Sequence, residues 1–155
     1  MPKICDHTSV GMLVSKDGKL LLIERKKPPF GFAPPAGHVD GDISFEESAR
    51  RELEEEVGLT AISIKLLTEG RKDNPCRRED GTWHYWKIYG IETAGEVKRS
   101  QDETKQAGFY DHGLLLNLAE RTEQYLRGDI KQEDWEQAPG IEPVWYEWLK
   151  ELKII

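Results

Sequence analysis

The sequence predicts an α/β sandwich, and three observations lead to it. Stretches whose residues change side every second position recur along the chain, at Thr8 to Ser15, Ala61 to Thr68 and Trp83 to Ile91, the period of a strand with distinct faces. Phe45, Ala49, Leu53 and Val57 fall at helical spacing, as do Leu114, Leu115, Leu118 and Thr122, and each set makes a stripe that a sheet can bury. All of this fits within 155 residues, the size of one domain able to bury most of its apolar surface on folding.

The elements follow in order. Thr8, Val10, Met12 and Val14 share one face of a first strand; Lys16-Asp17-Gly18 supplies turn chemistry and Lys19 to Lys26 returns as the second arm of a hairpin. Pro28 and Pro29 then end the ladder, because proline removes a backbone donor and fixes its own φ. Gly37-His38-Val39 is expected as a short strand, in which His38 orients the loop. Ser44 opens a helix in which Ser44 and Glu47 have capping-box spacing, and Gly58 closes it. In the following strand Ile62, Ile64 and Leu66 are expected on one buried face. Arg71 to Gly81 is a polar, turn-rich loop carrying Arg71, Lys72, Arg77 and Arg78, placed to reach over bound phosphates.

In Trp83 to Ile91, alternation sets Trp83, Tyr85, Lys87 and Tyr89 on one side and His84, Trp86 and Ile88 on the other. An aromatic ring of this strand, Tyr85 foremost, is a candidate to stack on a nucleobase. Gln106 to Tyr110 makes a further strand. The helix from Leu114 to Arg127 ends at Gly128 and is expected to pack on the sheet opposite the first helix, with Leu114, Leu115, Leu118, Thr122, Tyr125 and Leu126 inward. In the tail, Pro143 suits a first helical position, with Val144, Trp145, Trp148, Leu149 and Leu152 on one face. That face either closes the domain or makes a homodimer contact.

Composition excludes several classes. A net charge of −7 argues against broad nucleic-acid binding, which depends on Lys and Arg neutralising phosphates, while leaving small phosphate compounds open through bound cations. No apolar run approaches a membrane span, and the opening MPKICDHTSV lacks a signal peptide's charged start and apolar core. A cytoplasmic protein with no membrane partner is expected. Cys5 and Cys76 lie far apart without CxxC spacing, which suggests neither a zinc site nor a disulfide framework.

The chemistry is carried by the first helix. At about 100° per residue, Glu52, Glu55 and Glu56 share an arc beside the apolar stripe, while Glu54 points elsewhere. Like charges at this spacing cost a helix a few tenths of a kcal/mol per pair, a cost offset either by a hard divalent cation with oxygen ligands or, on a merely solvated acidic face, by the nearby Arg50 and Arg51. Gly37, Arg51-Glu52-Leu53, Glu55-Glu56 and Gly58-Leu59 resemble the Nudix box, G-x5-E-x7-R-E-U-x-E-E-x-G-U with U apolar. Arg51 through Leu59 matches that pattern by accident in about one chain of this length in 10⁵. One position departs: Ile43 stands where the pattern has its first Glu, with Asp42 one place earlier.

The resemblance implies a Nudix fold, an α/β/α sandwich with a mixed sheet, in a single domain on which residues 129–155 pack. It implies metal-dependent hydrolysis of a nucleoside diphosphate linked to another group X, with ADP-ribose, a nucleotide sugar or a modified nucleoside triphosphate as candidates. Glu52, Glu55, Glu56 and the Gly37 carbonyl are then the expected ligands of Mg²⁺ or Mn²⁺. Glu55 and Glu103 are the candidate catalytic acids, Arg25, Arg71 and Tyr85 the candidate substrate contacts, and Arg51 with Asp42 the structural support. Pro75 sits where the ADP-ribose-cleaving branch of the family has a proline. A non-catalytic nucleotide sensor and an isoprenoid diphosphate isomerase share the fold and are the rival readings.

Overall fold

A computed structural model describes residues 3–155. The chain runs β1 (Thr8–Leu13), β2 (Ser15–Lys16), β3 (Lys19–Arg25), β4 (Phe32–Ala33), β5 (Ala36–Gly37), α1 (Phe45–Val57), β6 (Thr60–Lys72), β7 (His84–Ala94), β8 (Thr104–Tyr110), α2 (His112–Leu126), α3 (Gln132–Gln137) and α4 (Pro143–Glu151). One sheet has the order β5-β1-β7-β6; β2, β3 and β4 form the other, with β8 on the free side of β3. The pairing of β1 with β7 is parallel, Thr8 opposite Tyr85 and Met12 opposite Tyr89, whereas β1 with β5, β7 with β6 and β3 with β8 are antiparallel. The sheet is therefore mixed, as expected.

Strand alternation divides the interior into two cores. Val10, Met12, Leu21 and Ile23 pack against Ala49, Leu53 and Val57 of α1. Their neighbours Leu13, Leu20 and Leu22, with Trp86 and Ile88, face Leu115 and Ala119 of α2 and Val144, Trp145, Trp148 and Leu149 of α4. Helices thus cover both faces, with α1 opposite α2 and α4. Burying such side chains contributes roughly 1.5–3 kcal/mol each. The tail helix closes one core: Trp145 and Leu149 are fully buried and Trp148 nearly so. Among the described residues no helix is long and apolar enough to cross a membrane.

Three local expectations are corrected, and one element is added. The short strand near the glycine is Ala36–Gly37 rather than Gly37 to Val39, since Gly37 and Ala36 are the residues that pair with Val10 and Gly11. In β6, irregularities between Ala61 and Ser63 and between Leu66 and Thr68 break the two-residue period. Ile62 and Leu66 are consequently exposed, while Ala61 and Ile64 pack into the core. In α2 the buried line is Leu115, Ala119 and Thr122, and Leu114 and Leu126 lie outside it. The tail also holds α3, whose Trp135 is buried and stacks on Tyr125 with ring centroids 4.0 Å apart.

Candidate active site

The site begins with the way α1 is started and aimed. Ser44 Oγ accepts the Glu47 backbone N–H at 3.1 Å, a cap that contributes about 1 kcal/mol, and Gly58 ends the helix in the left-handed region at φ 70°. Ala49, Leu53 and Val57 are fully buried, so the rotation of the helix is set by packing. That rotation turns Glu52 and Glu56 toward β5. Gly37 permits the approach: a Cβ there would lie 2.2 Å from Glu52 Cδ and 2.6 Å from its Oε1.

Glu56 Oε2 accepts the Ala36 backbone N–H at 2.9 Å. Arg51 Nη1 donates to Glu52 at 2.9 Å and to Glu55 at 3.3 Å. The same guanidinium donates from Nε and Nη2 to Asp42 Oδ2, at 3.0 and 2.8 Å, and from Nη2 to the His38 carbonyl at 3.1 Å. Asp42, one residue before the position where the box has its Glu, is therefore the carboxylate paired with Arg51, while Ile43 stands 90% exposed. The Arg51 bond holds the Asp42 carboxyl below its usual range.

Burial dominates the electrostatics of the other acids. It pushes Glu52 up to about 7 against the pull of Arg51. It pushes Glu56 up to about 8, helped by the neighbouring charge of Glu52. Two carboxyls this short of countercharge, on an all-oxygen donor set with Glu55 and the Gly37 backbone alongside, fit a hard divalent cation. Across the space, Arg25 Nε lies 3.8 Å from buried Glu142 and has no hydrogen-bond partner among the described residues. Glu103 stands 3.8 Å from both Lys27 and Arg77.

These groups line one cavity of about 520 Å³, within the range of small-molecule sites. Gly37, Glu52, Glu55, Glu56, Arg51, Arg25 and Glu103 all reach it, as do Asp102 and Pro75. Arg71 and Tyr85 do not. Arg71 pairs with Asp73 at 3.1 Å and lies over the Trp83 ring, 4.3 Å from its centroid. Tyr85 donates its hydroxyl to Glu69 at 2.6 Å on the exposed side of β7. Alternation gives the reason: the face of β7 turned to the cavity is that of His84 and Trp86. Both placements as substrate contacts are thus corrected, and Trp86 is the cavity's aromatic residue. Arg77, Arg78 and Glu142 were not singled out individually from the sequence; the basic loop carried a signal for the arginines, and nothing marked Glu142.

His38 lies next to Gly37, but its ring turns from the carboxylates toward Cys5 and His84. Burial and the adjacent Arg78 guanidinium push its imidazole down to about 4, so it is neutral at physiological pH.

Comparison with known proteins matches this geometry. The NUDIX domain family matches residues 6–128. The chain is 34% identical over 126 residues to an ADP-ribose pyrophosphatase of Methanocaldococcus jannaschii, covering 78% of this chain and 72% of that protein. It is 39% identical over 133 residues to an RNA pyrophosphohydrolase of Caulobacter vibrioides, covering 76% of each. Among solved structures, a MutT NUDIX hydrolase from Burkholderia pseudomallei superposes with a TM-score of 0.61 at 25% identity, covering 69% of this chain and 84% of that one. A NUDIX hydrolase from Nitrosomonas europaea shares the fold over 99% of this chain and 89% of its own, with a TM-score of 0.62 at 17% identity.

Proposed function

The chain belongs to the Nudix family and is a hydrolase acting on pyrophosphate bonds; on that premise we propose that it cleaves a nucleoside diphosphate linked to a second group X, with ADP-ribose the foremost substrate, to a nucleoside monophosphate and phosphorylated X. The observation that carries this reading is the polarity of the cavity: Glu52, Glu55 and Glu56 on one wall, Arg25, Arg77 and Arg78 on others. An acidic wall alone would repel a pyrophosphate. Opposed to a basic one, it suits a polyanion that arrives with divalent cations. ADP-ribose leads because a relative is named for that activity and because Asn74 and Pro75 of the β6–β7 loop border the cavity.

Glu52, Glu55, Glu56 and the Gly37 carbonyl are the residues that would hold Mg²⁺ or Mn²⁺. Such ions neutralise phosphate charge and acidify water, the two obstacles to hydroxide attack on a pyrophosphate. The chain's own residues supply the rest. Arg51 fixes the loop that carries Gly37 against α1 through Asp42 and the His38 carbonyl. Arg25 lines the cavity, where its guanidinium can donate to a phosphate oxygen. Glu55 has Arg51 as its hydrogen-bond partner among the described residues and is free to take a proton from the attacking water. Glu103, on another part of the cavity wall, is the second candidate for that proton. Trp86 presents an aromatic surface near the cavity, though its indole N–H is already donated to Asn74 at 3.1 Å.

A pure nucleotide sensor is disfavoured because all three helix carboxylates reach the cavity. An isomerase using a thiol is disfavoured because the Cys76 sulfur is gathered with Cys5, His38 and His84. The test is a substrate panel with Mg²⁺: ADP-ribose, a nucleotide sugar, a modified nucleoside triphosphate and a 5′-triphosphorylated RNA, with products identified by chromatography and phosphorus NMR. The expected result is AMP and ribose 5-phosphate from ADP-ribose at the highest kcat/KM. Preferred cleavage of the RNA end would move the substrate to the class named for the Caulobacter relative. Binding without cleavage of any compound would overturn the hydrolytic reading.

A further inference from the structure

Four side chains apart from the carboxylate wall converge on a point of their own. One ligand atom from each of Cys5, His38, Cys76 and His84 lies within 4.8 Å of all the others. Cys5 Sγ is 3.3 Å from His84 Nε2 and 3.7 Å from His38 Nε2. Around a tetrahedral zinc ion, with bonds of about 2.3 Å to sulfur and about 2.0–2.1 Å to nitrogen, a sulfur and a nitrogen stand about 3.5 Å apart. The two observed separations bracket that value.

Backbone donors meet both sulfurs. Cys5 Sγ accepts the His7 backbone N–H at 3.3 Å, and Cys76 Sγ accepts the Arg78 backbone N–H at 3.4 Å. Each sulfur is thus met by a backbone donor two residues downstream; at Cys5 that donor opposes the burial that pushes the free thiol up, a cost that a bound cation would offset. Gly81 leaves room for the second sulfur: a Cβ there would lie 2.1 Å from Cys76 Sγ, in a turn closed by the Cys76 N–H to the Gly81 carbonyl at 2.8 Å. Cys5 and His84 are buried, as a closed four-ligand site requires.

We propose that Cys5, His38, Cys76 and His84 form a structural zinc site that fastens the segment preceding β1, the loop entering α1, the β6–β7 loop and the start of β7 to one another. Two sulfur and two nitrogen donors with no open position make the site structural rather than catalytic. Binding exchanges two S–H bonds for two S–Zn bonds; the protons leave to solvent, and no oxidant or reductant is required. Two of the fastened segments also border the proposed active site, through Gly37 beside His38 and through Arg77 and Arg78 beside Cys76. The proposal stands apart from the hydrolytic reading, since it needs neither nucleotide nor turnover.

The experiment uses the full chain without an affinity tag. Purified protein is analysed for metal by inductively coupled plasma mass spectrometry after exchange into metal-free buffer, and apoprotein prepared separately by removal of metal with a strong chelator under reducing conditions is titrated with Co²⁺. The expected results are about one zinc per chain, and with Co²⁺ the visible bands of a tetrahedral ion together with a thiolate-to-metal charge-transfer band that saturates at one equivalent. Cys76→Ala, on a loop, should lose the charge-transfer intensity while a Glu52→Gln, Glu56→Gln double variant keeps it. If Cys76→Ala does not fold, the wild-type cobalt spectrum decides alone. The proposal is overturned by absence of the charge-transfer band in reduced protein, by zinc that follows the glutamates instead of the cysteines, or by an intact mass short of two hydrogens with Cys5 and Cys76 joined.

Discussion

The two polar clusters that border the cavity differ in almost every respect. The carboxylate wall is carried mostly by one helix, offers oxygen donors, opens to the cavity and leaves room for substrate. The thiol–imidazole cluster draws one residue from each of four segments, offers sulfur and nitrogen, and has two of its four residues buried. Softness of donor and openness of site separate a cation that works from a cation that fastens. A helix suits the first because its periodicity alone aligns the three acids. The second needs no periodicity, and its value lies in joining segments that have little regular structure of their own.

The largest expected effect bears on the carboxylate wall. Glu56→Gln should lower metal-dependent turnover by about 100-fold or more, beyond what loss of a supporting hydrogen bond costs, while circular dichroism and melting stay near wild type because a neutral amide replaces a carboxyl that burial already disfavours as an anion. Near-normal turnover would remove Glu56 from the metal shell. For the other cluster the prediction is reversed in kind. Stripping zinc with a strong chelator should lower the melting temperature by about 10 °C, taking about 4 kcal/mol for an ion held at 1,000 times its Kd and about 2–4 °C per kcal/mol for a domain of this size. Differential scanning calorimetry with and without added zinc measures it, and an unchanged melting point would erase the contrast between the clusters.

Gly37→Ala should fall between these. Its methyl group would meet Glu52 Cδ at 2.2 Å, forcing that carboxylate away, with about a tenfold fall in kcat and a stability loss of about 1–3 kcal/mol; urea titration and steady-state kinetics report both. The smallest effect concerns Glu142, a buried acid that borders the same cavity. Burial, opposed by Arg25, raises its carboxyl above the ordinary value of 4.5. The folded chain therefore keeps a proton that the unfolded chain releases, and this group's contribution to stability is full below about 4.5 and falls as pH rises toward the folded value. Glu142→Gln does not titrate, so its stability relative to wild type should rise with pH across that window. A difference that is flat or of opposite sign in pH-dependent urea titrations would contradict the assignment.

What was legible in the sequence follows the same division. Glu52, Glu55 and Glu56 could be placed together because three spacings within one helix are local information, and the cap at Ser44 and the stop at Gly58 bounded that helix. The family resemblance covered the strands around it. Alternation divided β7 into two faces yet carried no sign of which one met the cavity, so Tyr85 falls on the face away from it and Trp86 on the face that lines it. In β6 the irregular positions turned Ile62 outward, and no residue type announced them. Cys5 and His84 are 79 positions apart, and the parallel pairing of β1 with β7, with the bridge of Ile4 to Glu79, brings their segments together. Four ligands on four segments leave no spacing to read.

That parallel pairing, joined with the closing of the second core by α4, also orders events in time. Gly11 in β1 has its Cα against the Trp145 ring so closely that a Cβ would stand 2.2 Å from the indole, and β1 has no neighbour on its β7 side until β7 is made. A ribosome extends a chain by about 5–20 residues per second, so the earliest strand waits several seconds for its sheet partner and longer for its tryptophan. Until then its apolar edge is available to chaperones and to other nascent copies, and stable packing of β1 is expected only once both β7 and α4 have been made.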